Sequence, residues 1–117
     1  MDTRILLNFF HIILVAPFLL WVGIARGNIP ESVFQGLIVL GLLLVIYHGF
    51  KGYNRWIQSS DNLWVNLLHV LWLGPLIFYI GVRRKDTPRS SYELLLFTAF
   101  GALGYHLYEL ATHYDFL

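Results

Sequence analysis

The sequence predicts an all-α fold, an integral membrane four-helix bundle built from two tandem, parallel two-helix repeats. Three observations carry this prediction. The composition is too apolar for so short a chain to bury in itself, four apolar stretches are each long enough to cross a bilayer, and the two halves share an ungapped internal register.

Of 117 residues, 57% are hydrophobic and 13% charged, and the mean hydropathy is +0.62. A soluble domain of this size has too little interior to hide that much apolar surface, whereas the hydrocarbon of a bilayer accepts it. A net charge of +1 gives no argument for nucleic acid. The absence of cysteine excludes disulfides, thiolate metal sites and cysteine nucleophiles. The expected partners are the lipid bilayer and either further copies of the chain or a larger membrane complex.

The first predicted helix covers Ile5–Ala25. Its apolar run lacks a small-residue cleavage site, so it reads as a retained helix rather than a signal peptide. The second covers Val33–Phe50, the third Leu63–Val82 and the fourth Tyr92–Leu110. At about 1.5 Å per residue each spans a hydrocarbon core about 30 Å thick. Turn and charge signals fill the gaps: residues 26–32, 51–62 and 83–91. Pro30 and Pro88 stand just before new helices, where a missing N–H costs nothing.

A shift of 58 residues lays residues 1–58 on 59–116 without a gap, which divides the chain into two repeats, 1–58 and 59–117. Asn8 falls on Asn66, His11 on His69, Pro17 on Pro75, Gly23 on Gly81, Arg26 on Arg84, Pro30 on Pro88, and Tyr47-His48 on Tyr105-His106. Apolar matches arise from composition alone, but Asn, His and Pro in register do not. A two-span repeat returns the chain to its starting side, so the halves insert the same way up about a pseudo-two-fold axis along the membrane normal. The face with the loops at 26–32 and 83–91 carries Arg26, Arg83, Arg84, Lys85 and Arg89. The other carries Arg4, Lys51 and Arg55. The positive-inside rule then places both termini outside the cytoplasm or in a lumen. Trp21 and Tyr79 toward one face, and Tyr53, Trp56, Trp64 and Tyr114 toward the other, suit interfacial belts.

The candidate functional residues are four histidines, one per helix: His11, His48, His69 and His106. His11 lies roughly 10 Å along its helix from Arg4, and His48 roughly 5 Å from Lys51. All four therefore occupy the half of the membrane nearer the termini. Imidazoles in hydrocarbon are costly and turn inward. Facing pairs of them suit haem b or a copper or zinc ion. The expected pairs are His11 with His69 and His48 with His106, each residue meeting its own copy across the axis. Asn8, Asn66, Tyr47 and Tyr105 are the expected hydrogen-bond partners of the rings. Glu109 shares a helix face with His106 and His113 and is a further candidate metal ligand, or the ion-pair partner of Lys51, its equivalent in the repeat. The competing reading makes the same histidines helix-locking hydrogen bonders.

No hydrolase triad, phosphate-binding loop, K⁺ filter or dinucleotide fingerprint is present in the sequence. Three functions stay open. One is a His-ligated haem or Cu/Zn protein for electron transfer. The second is a structural or assembly subunit of a larger membrane complex or virion. The third is a proton or cation pathway.

Overall fold

The structure, a computed structural model, describes residues 3–113, without the side chain of His113. His113 as a ligand, and Tyr114 as a belt residue, fall outside the described side chains. The described chain is all-α, with four helical rods that are each long and apolar enough to cross a membrane: Thr3–Asn28, Glu31–Ile57, Leu63–Asp86 and Arg89–Thr112. Rod 1 contains α1 (Thr3–Phe10), a π-helical segment (His11–Val15) and α2 (Ala16–Ala25). Rod 2 is α3 (Glu31–Ile57). Rod 3 contains α4 (Leu63–Leu68), a π segment (His69–Leu73) and α5 (Gly74–Arg83), and rod 4 is α6 (Arg89–His113).

The π segments have a visible cause. Pro17 and Pro75 have no N–H to donate, and a proline ring crowds the carbonyl four residues before it. The chain answers by widening. The Ala16 N–H reaches back to the His11 carbonyl and the Gly74 N–H to the His69 carbonyl, five residues away in each case. Both wide turns begin at a histidine. The same local features recur elsewhere 58 positions apart. Arg26 (φ 53°) and Arg84 (φ 55°) share a left-handed backbone conformation, and each opens a 3₁₀ turn, Arg26–Asn28 and Arg84–Asp86. Every buried residue between 8 and 52 has a buried counterpart 58 positions on, from Asn8 and Asn66 to Gly52 and Leu110.

The rods gather into two compact units. Unit 1 comprises Met1–Arg26 with Tyr92–Leu117, and unit 2 comprises Gly27–Ser91. Rods 1 and 4 thus make the first and rods 2 and 3 the second. In unit 2 the rods approach at glycines. A Cβ placed on Gly41 would stand 2.8 Å from the Gly74 carbonyl oxygen, and one on Gly81 would stand 2.7 Å from that of Phe34. Small residues let backbones come this close.

Rod 2 runs well past its expected end at Phe50. It carries Lys51, Gly52 and Arg55 in regular helix to Ile57, because nothing in Gly49–Ile57 breaks a helix and Gly52 is buried against the third rod. It stops in a Schellman turn. Ser59 takes φ 53°, its N–H bonds the Trp56 carbonyl, and the Ser60 N–H bonds the Arg55 carbonyl at 2.9 Å. A Cβ in this conformation costs about 1 kcal/mol. Ser59→Gly is therefore expected to raise stability by about 1 kcal/mol, read from chemical denaturation in detergent; a loss of stability would show that the Ser59 side chain contributes more than the strain costs.

Candidate functional site

The chemistry-bearing side chains collect into one group in each unit. In unit 2, His48 of rod 2 stacks on His69 of rod 3, ring centroids 3.9 Å apart and planes 15° from parallel. The His69 Nδ1 donates to the Val65 carbonyl at 2.7 Å, four residues back in its own helix. The His48 Nδ1 lies 3.0 Å from the Asn66 side-chain nitrogen. Asn66, 1% exposed, receives a hydrogen bond on its oxygen from Arg55 Nη1 at 2.7 Å. The order along the network is guanidinium, amide, imidazole, imidazole.

Unit 1 repeats the plan with different ends. His11 of rod 1 stacks on His106 of rod 4 at 4.3 Å and 20°. The His11 Nδ1 donates to the Leu7 carbonyl at 2.8 Å, and the His106 Nδ1 lies 2.7 Å from the Asn8 side-chain oxygen. Asn8 is also 1% exposed. Its amide nitrogen is buried without a hydrogen-bond partner. The charged group here is Glu109, which takes Arg4 Nε at 2.6 Å and a hydrogen bond from Tyr105.

The close ring pairs are therefore His11 with His106 and His48 with His69. The expected repeat mates, His11 with His69 and His48 with His106, each belong to different units. In each unit the histidine on the odd rod meets the one on the even rod packed against it, because Asn8 and Asn66 hold the even-rod ring over the odd-rod one. This changes what a pair can hold. Two imidazoles on opposite sides of one iron, each about 2 Å from it, keep their ring centres about 6 Å apart. Rings stacked at 3.9 and 4.3 Å leave no room between them for that iron. Among the described residues no group of three or more His, Cys, Asp or Glu stands close enough to hold a metal ion.

The other expected partners are distributed differently. Glu109 pairs with Arg4, and the Lys51 ammonium sits 5.7 Å over the Tyr47 ring. Tyr47 and Tyr105 each set a ring edge against the following histidine, 5.1 and 5.2 Å away, and Tyr47 is largely exposed. Arg55 and Arg4 read in the sequence only as topology charges, yet both belong to these groups. One signal was available for Arg55: it lies seven residues after His48, which is two turns along the same helix face once rod 2 is known to continue.

Large hydrophobic side chains are exposed along all four rods. Leu71, Phe97, Ile24 and Phe50 are each about 70% exposed, among many large hydrophobic side chains. No family model matches the sequence, and no curated protein or solved structure matches it.

Proposed function

We propose that the chain is an integral membrane protein whose four rods are transmembrane spans in two tandem two-span repeats, with both termini outside the cytoplasm or in a lumen. We propose that it serves as a structural or assembly subunit of a membrane complex. Its histidines act as clasps that fasten one rod to another. The observation that carries this reading is that all four rings use Nδ1 in a hydrogen bond while lying face to face with a ring from another rod.

The membrane part is supported by the exposed Leu, Ile and Phe side chains. An apolar surface this extensive is unfavourable in water and is the favourable arrangement in lipid. The duplication is supported by the recurrence of π segments, left-handed arginines and buried positions at one spacing. The clasp part is supported by the buried asparagines. An amide or imidazole facing hydrocarbon alone costs several kcal/mol, and here each is turned onto its neighbour. Hydrogen bonds between rods then hold the pair together in a solvent that supplies no hydrophobic drive.

The clasp and cofactor readings part at the bench. Purified wild-type protein is expected to show no haem absorption band and no stoichiometric copper or zinc. The double variant His48→Ala, His69→Ala is expected to lose about 2 kcal/mol of stability with its spectrum unchanged. A bound chromophore or metal that disappears in that variant would overturn the clasp reading in favour of a cofactor site.

A further inference from the structure

The two clasps are built from the same residues but end in opposite charges, and this fixes where each ring carries its proton. In unit 2 the end group is Arg55. A guanidinium only donates, so the Asn66 oxygen must face it, as the 2.7 Å contact shows. The Asn66 amide nitrogen, also a donor, then faces His48 Nδ1. That nitrogen must offer a lone pair, so His48 is neutral with its proton on Nε2. Turning the amide over would set two donors against each other at Arg55.

In unit 1 the end group is Glu109, a carboxylate holding Arg4 and Tyr105. An ionised carboxylate only accepts. The Asn8 oxygen is turned away from it, onto His106, and the buried Asn8 amide nitrogen is the donor left for it. His106 Nδ1 therefore donates, and His11 Nδ1 donates to Leu7. A proton added to Nε2 of either ring leaves these Nδ1 bonds intact. In unit 2 only His69, whose Nδ1 already donates to Val65, has that property. Among the described residues, the titratable groups beside the unit 1 stack include Tyr105, edge-on to His106, and Glu109, which Tyr105 and Arg4 bond. Among the described residues, those beside the unit 2 stack include Tyr47, edge-on to His48 with Lys51 over its own ring, and Arg55, which bonds Asn66.

We propose that the His11–His106 stack is a proton-binding site and that Arg55, acting through Asn66, is a positioning residue that keeps His48 neutral. The proposal rests on the clasp reading and adds to it a ligand, one proton, bound in one clasp and refused at the matching ring of the other. In a lipid surrounding, the Asn8 side-chain oxygen and the Leu7 carbonyl, which accept from the two Nδ1 atoms, supply hydrogen-bond stabilisation to an imidazolium.

The test is the ring ¹⁵N spectrum of ¹⁵N-histidine-labelled full-length protein in lipid vesicles, followed from about pH 8 to pH 5, the range in which imidazoles titrate. His48 is expected to stay neutral with its proton on Nε2 throughout. His106 is expected to take up a proton on Nε2 before His48 does, keeping its Nδ1 bond to Asn8. Asn66→Asp replaces the donating amide by an acceptor, so the His48 proton is expected to move to Nδ1. Arg55→Lys is expected to leave the wild-type pattern, and Arg55→Gln to lose it. Protonation of His48 with or before His106 in the wild type would overturn the proposal, as would an unchanged His48 pattern in both Asn66→Asp and Arg55→Gln. Stability measured on the same samples reads the clasp separately. A clasp that proves energetically neutral defeats the structural reading while leaving the ring states to decide this one.

Discussion

Replacing Asn66 by leucine is expected to lower stability by about 2–3 kcal/mol, whereas Asn8→Leu is expected to cost about 1 kcal/mol or less. Both side chains are 1% exposed and occupy matching places, so leucine fills each site equally well. The difference lies in what each amide satisfies. Asn66 uses both ends: its oxygen takes a guanidinium N–H at 2.7 Å, a charge-assisted bond, and its nitrogen donates to His48 at 3.0 Å. Removing it takes a partner from a charge and from a ring at once. Asn8 makes one bond of ordinary geometry, its oxygen to His106, while its buried nitrogen makes none and has only a weak approach to Glu109. Leucine there deletes an unmet donor along with one made bond, and the two effects largely offset each other. Equilibrium unfolding of the two variants in one detergent checks the ranking. Equal losses would show that the Asn8 nitrogen is satisfied as fully as the Asn66 nitrogen.

The sequence exposes the rods readily because the signal for each is long and redundant. Twenty apolar residues between Pro-, Gly- and charge-bearing gaps leave few alternatives to a helix. The positions of the four histidines along their rods were also legible, since axial depth follows from residue counting at 1.5 Å per step. Which ring meets which was not legible. Axial depth says nothing about azimuth, and the π segments at His11 and His69 add a residue to the turn that aims the ring. Repeat symmetry pointed to copies meeting copies. Within each unit, packing joined a ring on an odd rod to one on an even rod, through Asn8 and Asn66. Arg55 was hidden for a third reason. It lies beyond the last apolar residue of the expected span, where hydropathy no longer distinguishes helix from loop, while the rod continues to Ile57 on helix propensity and the burial of Gly52.

Gly81→Leu is expected to have the largest effect of any single substitution outside the clasps, a loss of about 3 kcal/mol or more. The site is closed by backbone. A Cβ there would stand 2.7 Å from the Phe34 carbonyl oxygen and 2.8 Å from the Ile38 nitrogen, atoms that move only if rod 2 moves. The same holds at Gly41, where the nearest atoms include the Gly74 oxygen at 2.8 Å and the Phe78 nitrogen at 2.9 Å. Gly23 gives a graded comparison within unit 1. Its Cβ would meet Leu96 side-chain carbons at 2.7 Å, and a leucine side chain can change rotamer where a helix backbone cannot. Gly23→Ala is therefore expected to cost less than Gly81→Ala. Gly36 and Gly49 have open space where a Cβ would go. Alanine at either is expected to be neutral or to stabilise by up to about 1 kcal/mol through helix propensity alone. Thermal denaturation followed by circular dichroism in detergent orders the series. If Gly81→Ala matches Gly36→Ala, the rods of unit 2 do not touch at their backbones, and their association rests on the His48–Asn66–Arg55 network alone.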